Sequence, residues 1–516
     1  MFIYNIIFLV IFGQCYTYKL LVVFPLPRSS HITLGHGYVR HLLKAGHQVT
    51  YITPKPLNMS STNLKQVNLA SLYDDFPVEN LINLKDVLID KTVANDIRNI
   101  MKVMFEHANA TIFHKSVQSL IQDTTEWFDA IIAEYMFSGL YSGFSSVFNC
   151  PFVWSVSMQP HNIHVALIDE LQNPAYTYNH WSSVDPPFSF TERVTELYET
   201  IRYYYYAWLL SGDENKSYVN AFSSAVEKRG NVLPPYSEVK YNASLILGNS
   251  DISCGHAMRL PAAYKQIGGY HIVDIPPLSK NLQEIMDKAR DGVIYFSMGS
   301  ILRSKDMTDD MKNRLLDVFS SLNQTVIWKF EERLRNLPNN VNIVDWAPQQ
   351  SILGHRNCLL FITHGGLLST IEAVHFGVPI IGLPAFGDQY KNINRAVKKG
   401  FGKRVDLDME MPKNLQVAIK DILQNSRYKE KVKEYSTIYH HRIAHPGEEL
   451  VHWVEHVVRT RGAQYLRSSA LLVPLYQKLY LDLVILVTIT TLVVTKSVFQ
   501  INILVIKYFY VKNKTE

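Results

Sequence analysis

Residues 346–389 place polar side chains where short apolar runs end. The run 358–363 has the length of a strand, a His-Gly-Gly step at 364–366 interrupts it, and a helix is predicted over 367–376. A Gly-Gly turn between a strand and a helix lets backbone N–H groups approach an anion, and the helix N-terminus adds a partial positive charge. This pattern predicts a binding site for a diphosphate.

The side chains along this segment suit three further parts of a nucleoside diphosphate sugar. A carboxylate one turn into the helix can accept hydrogen bonds from two ribose hydroxyls, and an indole can stack on a flat base. Taken singly, each residue type is usually a packing or surface residue, but the ordered set predicts a nucleotide-sugar site. The residues are His364, Gly366 and Ser369 for the phosphates, Glu372 for the ribose, Trp346 with Gln349 for the base, and Asp388 with Gln389 for the sugar.

A second candidate lies near the amino terminus. The apolar run 19–24 predicts a first strand, 25–30 a loop and 32–45 a helix, so His31 stands where the strand gives way to the helix. In an open parallel sheet that point faces the cleft, where a histidine can act as a general base. On position alone, a hydrated loop histidine is the preferred interpretation.

The ordered set in 346–389 resembles the signature of the UDP-glycosyltransferase family, the inverting family 1 enzymes. The stretch Gly-Gly-Leu-Leu-Ser-Thr-Ile-Glu-Ala is similar to membrane-bound animal members of the insect type. Leu368 stands where plant and vertebrate members usually carry Asn. The resemblance implies an α/β fold of GT-B type, in which two Rossmann-like lobes with parallel sheets face a cleft. It also implies a UDP-sugar co-substrate and neither a cofactor nor a metal.

The resemblance assigns the catalytic residues. His31 aligns with the family's general base. Glu134, after the run 128–133, takes the place of the Asp that orients this histidine, and one extra methylene changes its reach. Ser300 follows Met-Gly at the end of a predicted strand over 292–297 and resembles the first phosphate loop. Asp129 is interpreted as structural.

Length and charge agree with two lobes. A chain of 516 residues is too long for one core, and a net charge of +5 without a basic patch gives no case for nucleic acid. The predicted divisions are a signal peptide over 1–17, an acceptor-binding lobe over 18–270, a linker over 271–285, a UDP-sugar-binding lobe over 286–442, a return helix and membrane approach over 443–478, a transmembrane helix over 479–506 and a cytoplasmic tail over 507–516.

Both ends predict a membrane location. The apolar start reads as a secretory signal. Lys496 within 479–506 costs about 2.5–3.5 kcal/mol on insertion scales, which the surrounding Val, Ile and Leu offset. Lys512 and Lys514 resemble an endoplasmic reticulum return signal, which predicts a single-pass type I protein of that membrane with lumenal lobes. The sequons that would then be lumenal begin at Asn58, Asn109, Asn215, Asn242 and Asn323.

Two polar features of the sequence are interpreted as having no part in the active site. Asp406 and Asp408 form a D-x-D pair, but they follow the signature, so a chance or capping role is expected rather than a metal site. His161 and His164 follow a strand predicted over 151–157 and are expected at the surface, with a place in the acceptor pocket as the alternative. Cys358 begins an apolar strand and is expected in the core.

These inferences predict transfer of a hexose, with glucose favoured, from UDP to a hydroxyl of a small lipophilic acceptor, as in detoxifying conjugation. The anomeric carbon would be inverted. Two alternatives stay open: the same reaction with UDP-glucuronate, and a non-catalytic UDP-sugar-binding subunit, which Glu134 and Leu368 motivate. A homo-oligomer is also left open.

Overall fold

A computed structural model describes residues 17–72, 96–272, 275–300, 304–332 and 334–515. The predicted signal peptide lies outside the described residues except for Thr17, and Cys15 lies outside them as well. The chain divides into two compact units after Arg467. The first unit contains two parallel sheets.

The first sheet has seven strands in the order β3-β2-β1-β4-β5-β6-β7. Helices cover both of its faces, so its central strands are buried throughout, as their uninterrupted apolar sequences predict. The strands are β1 (Lys19–Val23), β2 (Gln48–Thr53), β3 (Leu64–Asn68), β4 (Ala130–Glu134), β5 (Phe152–Val156), β6 (Leu245–Gly248) and β7 (Tyr264–Gln266).

Most connections between successive strands of this amino-terminal lobe contain a helix, as is usual for a parallel sheet. The first begins at Ser29, two residues before His31, so the histidine lies in its first turn rather than in the loop predicted before it. The helices are α1 (Ser29–Lys44), α2 (Ile97–Phe113), α3 (Lys115–Gln122), α4 (Gly143–Phe148), α5 (Asn162–Val165), α6 (Phe190–Glu227) and α7 (Tyr236–Val239).

The second sheet has six strands in the order β10-β9-β8-β11-β12-β13. It follows a short helix, α8 (Lys280–Lys288), which occupies the end of the segment predicted as a linker. The strands are β8 (Val293–Ser297), β9 (Thr325–Lys329), β10 (Val341–Val344), β11 (Cys358–Thr363), β12 (Ile380–Gly382) and β13 (Gly402–Arg404). Cys358 is buried in β11, as predicted.

The helices of the carboxy-terminal lobe alternate with these strands. One of them begins after Gly366 and stops at Gly377, whose φ of 64° is the left-handed conformation that ends a helix. The helices are α9 (Asp309–Ser320), α10 (Gln349–Leu353), α11 (Leu367–Phe376), α12 (Gln389–Lys399), α13 (Met411–Gln424) and α14 (Arg427–His440).

A final helix of the first unit, α15 (Pro446–Arg459), returns to the amino-terminal lobe. Its Leu450, Val454 and Val457 are buried in the core that contains β1 and β4, and it packs against α1. Glu455 Oε1 lies 3.3 Å from Nε2 of the buried His47. The first lobe is therefore built from segments at both ends of the first unit.

The second unit contains α16 (Leu475–Lys478) and α17 (Leu481–Thr515). By length and composition α17 can cross a membrane, and its side chains are exposed. It includes residues 481–506 of the predicted transmembrane segment and continues through the predicted tail to Thr515.

Candidate active site

The predicted site residues from both lobes surround one cavity of about 700 Å³, at the carboxyl ends of the two sheets. Glu134 lies directly behind it and lines a much smaller cavity. The residues that line the large cavity are His31, Ser300, Trp346, Gln349, His364, Gly366, Ser369, Glu372, Asp388 and Gln389.

His31 and Glu134 form a hydrogen-bonded pair on one side of this cavity. Strands β1 and β4 are paired in parallel, so the first turn of α1 and the last residue of β4 come together. His31 Nδ1 lies 2.5 Å from Glu134 Oε1, and the carboxylate is buried. The longer Glu side chain therefore reaches the imidazole. With Nδ1–H donating to the carboxylate, Nε2 is the nitrogen that can accept a proton.

Opposite this pair, the first turn of α11 offers backbone N–H groups. Its N-cap residue Gly366 provides no side-chain cap. Gly299, in the loop after β8, has a φ of 80°, and a Cβ there would lie 2.5 Å from Cε1 of His364. Glycine thus lets the loop after β8 pack against the loop after β11.

His364 lies between these loops as a neutral side chain. Burial, together with the positive charge of Lys329, lowers its pKa to about 4. Lys329 is the last residue of β9, lines the cavity and donates to the Gly299 carbonyl at 2.9 Å and to Glu331 at 2.8 Å. This lysine is not among the site residues predicted from the sequence. A lysine that directly follows the apolar run 326–328 at the carboxyl end of a strand is a signal that could have identified it.

Three residues predicted to make separate contacts form one network. Gln349 Nε2 donates to Ser369 Oγ at 3.1 Å and to Glu372 Oε2 at 2.5 Å. Burial raises the pKa of Glu372, but His271, with hydrogen bonds from Gln349 and Gln350, outweighs burial and leaves that pKa below its ordinary value. Glu372 is therefore an ionised acceptor, as binding of two ribose hydroxyls requires.

Trp346 lines the same cavity and is 69% exposed, so its ring face is open to a ligand. Lys329 Nζ lies 5.9 Å from the ring centroid. Ser300 is exposed at the end of the loop after β8.

Asp388 and Gln389 begin α12. Burial raises the pKa of Asp388, although Asn392 Nδ2 donates to its Oδ2 at 2.9 Å. Gln389 Oε1 accepts a hydrogen bond from the Ala385 backbone N–H at 2.9 Å. Both side chains are therefore fixed in direction at the cavity wall.

The amino-terminal lobe contributes an apolar wall that the sequence analysis did not predict. His180 packs edge-on against Trp181 and Phe137, with ring centroids 4.6 and 5.4 Å apart, and all three line the cavity. Burial, reinforced by the charge of Lys391, lowers the pKa of His180 to about 3, so the ring is neutral.

The surface location expected for His161 and His164 is wrong. Both are buried behind the wall, with ring centroids 3.7 Å apart, and His161 also contacts His180. Burial lowers the pKa of both histidines well below the ordinary value. Residues distant in sequence cover them, which a local pattern cannot indicate.

Helix α12 also joins the two lobes. Arg395 Nε donates to both Asp185 oxygens at 2.9 and 3.1 Å, and Nη2 donates to Oδ1 at 2.5 Å. Lys391 Nζ donates to the Asn179 carbonyl at 2.9 Å, and burial lowers its pKa to about 7. The segment held in this way, residues 179–185, carries His180 and Trp181. One helix therefore places Asp388 and Gln389 at its start and holds the segment that carries His180 and Trp181 by its later turns.

The carboxylates of the D-x-D pair have local partners. Asp406 accepts from Arg404 at 2.7 and 2.8 Å, and Asp408 accepts from the Glu410 backbone N–H at 2.9 Å, a capping contact. Within the described ranges, no three His, Cys, Asp or Glu residues are grouped so that they could hold a metal ion.

The sequence matches known proteins along nearly its whole length. A family model described as "UDP-glucoronosyl and UDP-glucosyl transferase" matches residues 19–515. UDP-glucosyltransferase 2 of Dactylopius coccus is 29% identical, over 92% of this chain and 90% of its own. UDP-glucuronosyltransferase 2B14 of Oryctolagus cuniculus is 34% identical, over 48% of this chain and 46% of its own.

Solved structures share the two-lobed fold. The calicheamicin glycosyltransferase CalG4 superposes with a TM-score of 0.56 at 16% identity, over 86% of this chain and 98% of its own. The spinosyn forosaminyltransferase SpnP gives the same TM-score and identity, over 86% of this chain and 100% of its own.

Proposed function

Since the chain belongs to the UDP-glucuronosyl and UDP-glucosyl transferase family and is a UDP-glycosyltransferase of GT-B fold, we propose that it transfers glucose from UDP to a hydroxyl of a small lipophilic acceptor. The observation that carries this proposal is the His31–Glu134 pair facing the uncapped N-terminus of α11 across one cavity. A base and an anion site on opposite walls are what an inverting displacement needs.

In this reaction His31 Nε2 takes the proton of the acceptor hydroxyl. The hydroxyl oxygen attacks the anomeric carbon from the face opposite UDP, the bond between that carbon and the diphosphate oxygen breaks, and the configuration inverts. Glu134 stabilises the imidazolium that forms and holds its tautomer. A positioned base of this kind contributes about 10²–10⁴-fold to the rate.

The bond that breaks leaves negative charge on the diphosphate. The N–H groups of α11, Ser369, Ser300 and the neutral His364 are the donors we assign to it, and Lys329 adds a positive charge beside them. Such fixed donors stabilise a developing charge without having to reorganise during the reaction. UDP-sugar is accordingly a co-substrate, and we propose that neither a cofactor nor a metal is required.

Activity is therefore expected to persist after exhaustive chelation. The reason is that the donors listed above carry out the charge stabilisation that a metal would otherwise provide. The measurement is turnover before and after EDTA treatment and gel filtration, with a known metal-dependent glycosyltransferase treated in parallel. Complete loss of activity that Mn²⁺ or Mg²⁺ restores would contradict the prediction. It would make Asp406 and Asp408 candidate metal ligands.

Glucose is proposed as the sugar because a glucosyltransferase matches this chain over 92% of its length. We expect kcat/KM to be about tenfold higher with UDP-glucose than with UDP-glucuronate, a difference of about 1.4 kcal/mol. The measurement is product formation from a panel of phenols with each donor, and NMR of the product should show the β-anomer.

The 34% identical glucuronosyltransferase, which matches 48% of the chain, is the observation that favours the second donor. A reversed donor preference would assign UDP-glucuronate, and binding of both donors without product would favour a non-catalytic subunit. The apolar wall that contains Phe137 and Trp181, together with Met136 and Met158 in the same cavity lining, supports a lipophilic acceptor and conjugation of the detoxifying type.

We also propose that the protein is held in the endoplasmic reticulum membrane by α17, with lumenal lobes and a cleaved signal peptide. The apolar helix and Lys512 and Lys514 near its end support this. Protease added outside sealed microsomes should remove the carboxyl-terminal residues and spare both lobes, and glycosidase digestion should reduce the apparent mass. Digestion of the lobes in sealed vesicles would contradict the orientation.

A further inference from the structure

Helix α6 exposes a continuous apolar stripe over its first half. Eight large apolar side chains between residues 190 and 209 are each 49–72% exposed. We call this set the α6 stripe: Phe190, Val194, Leu197, Tyr198, Ile201, Tyr205, Trp208 and Leu209. At about 100° per residue these positions fall within an arc of about 120° and span about 28 Å. Every residue of 190–209 is described, and within that arc Thr191 is the one polar member.

The inward face of the same half of the helix combines Tyr203, which lies in the core, with polar side chains that have buried partners. Glu196 Oε2 accepts from the backbone N–H and the side-chain amide of Asn179, each at 2.7 Å. Thr200 Oγ1 accepts from Asn162 Nδ2 at 3.0 Å. A soluble helix normally turns its apolar face to the core, whereas the first half of α6 carries its broadest apolar face on the exposed side.

These inward contacts fix the rotation of α6. Turning the stripe toward the core would break the buried bonds of Glu196 and would also withdraw Tyr203 from the core. Arg202, at the border of the stripe, is further tied to Asp96 at 3.0 Å. A contiguous exposed patch of this kind on a fixed helix marks an interaction surface.

We propose that the α6 stripe is a lipid-contacting face, which lies in the interfacial region of a phospholipid bilayer. The chain carries its own membrane helix, α17, and only residues 468–480 separate that helix from the first unit. A tethered protein meets the bilayer at high effective concentration, so even a modest apolar face stays engaged.

The composition of the stripe favours lipid over a second copy of the chain. Tyr198, Tyr205 and Trp208 each combine an apolar ring with a polar tip, which suits the headgroup level, where the ring is buried and the tip remains hydrated. A dry helix–helix interface would have to supply partners for these tips. Helices that lie in an interface carry a broad apolar face, as the first half of α6 does.

The stripe is one helix away from the acceptor half of the cavity. α6 packs against α2, and Asn99, Ile100, Val103 and Met104 of α2 line that cavity. Asp96, which Arg202 holds, lines it as well. Resting on the proposed function, we infer that lipophilic acceptors dissolved in the bilayer reach the cavity from this face.

The lipid contact is tested with environment-sensitive NBD labels on the full chain in phosphatidylcholine vesicles. Ile201→Cys and Tyr205→Cys are labelled, with Val417→Cys on α13 as the control, since Val417 is 62% exposed and apolar but lies outside the stripe. The unsubstituted chain, labelled in parallel, corrects for the native cysteines.

Brominated lipids are expected to quench the labels at 201 and 205 several-fold more than the label at 417. Equal quenching at all three positions would overturn the proposal. Energy transfer between labelled copies without quenching by lipid would also overturn it and would assign the stripe to a second copy of the chain.

The role in acceptor supply is tested by a paired substitution, Tyr205→Glu with Trp208→Glu, in the same vesicles. KM for a long-chain alkylphenol is expected to rise several-fold, while KM for a water-soluble phenol stays unchanged. Val417→Glu controls for added charge and should change neither value. An unchanged KM for both acceptors would overturn the supply role. If the unsubstituted chain turned over neither phenol, the proposed function would fail, whereas the quenching result stands independently of turnover.

Discussion

His31→Ala is expected to lower kcat by about 10²–10⁴-fold, the contribution of a positioned general base. The substitution removes the nitrogen that we propose takes the proton from the acceptor hydroxyl. The residues proposed to bind UDP belong to the other lobe. Binding of UDP, measured by calorimetry, should therefore remain near its original value. The measurement is kcat with saturating UDP-sugar and a phenol.

His36→Ala is the matched control for this prediction. His36 lies on the same helix, and its Nε2 contacts the Lys55 carbonyl at 3.1 Å, away from the cavity. Its loss should leave kcat near wild type. A His31→Ala variant that retained more than about a tenth of the wild-type rate would assign the base elsewhere.

Glu134→Gln should lower kcat and Glu134→Asp should lower it less, because Gln keeps the length but loses the charge that stabilises the imidazolium.

Asp185→Asn is expected to destabilise the first unit by about 3–5 kcal/mol, because it leaves a buried Arg395 without its charged partner. Thermal unfolding of the full chain in detergent measures this as a lower Tm. Asp406→Asn is the control, since it breaks an Arg–Asp pair that is exposed and therefore worth about 0–1 kcal/mol. Equal shifts in Tm for the two variants would mean that the bridge between the lobes contributes little.

The same pair predicts a pH dependence. Burial raises the pKa of Asp185, but the hydrogen bonds and charge of Arg395 outweigh burial and hold that pKa below its ordinary value. A depressed carboxylate pKa adds stability above the ordinary value of about 3.9, and this stability is lost as the pH falls through the folded value. Asp185→Asn should show a shallower loss of stability in this acid range than the wild-type chain.

The sequence predicted the parts of the fold that depend on neighbours along the chain. The strands β1, β8 and β11 have short apolar runs and clear turn residues, and the His-Gly-Gly step at 364–366 marks the break between β11 and α11. The start of α1 was placed too late, because Ser29 and Ser30 are loop formers that here begin the helix.

What the sequence did not predict depends on contacts between distant segments. Lys391 and Arg395 look like surface cations on an amphipathic helix until the segment 179–185 covers them. The histidines at 161 and 164 are polar residues after a strand, and they are buried because they lie behind the apolar wall. The sequence did not predict which apolar residues of α6 are buried: Tyr203 and Phe222 lie in the core, whereas the α6 stripe is exposed.

The return of α15 to the first lobe has a consequence for the order of events during synthesis. Leu450, Val454 and Val457 complete a core that begins with Leu20, so the first lobe to leave the ribosome cannot finish folding until nearly all of the first unit has emerged. The second lobe builds its two core clusters from residues 254–439, which form a continuous stretch. It can therefore close first, while the nascent amino-terminal lobe still exposes the apolar surface of α1 and β4 that α15 later covers.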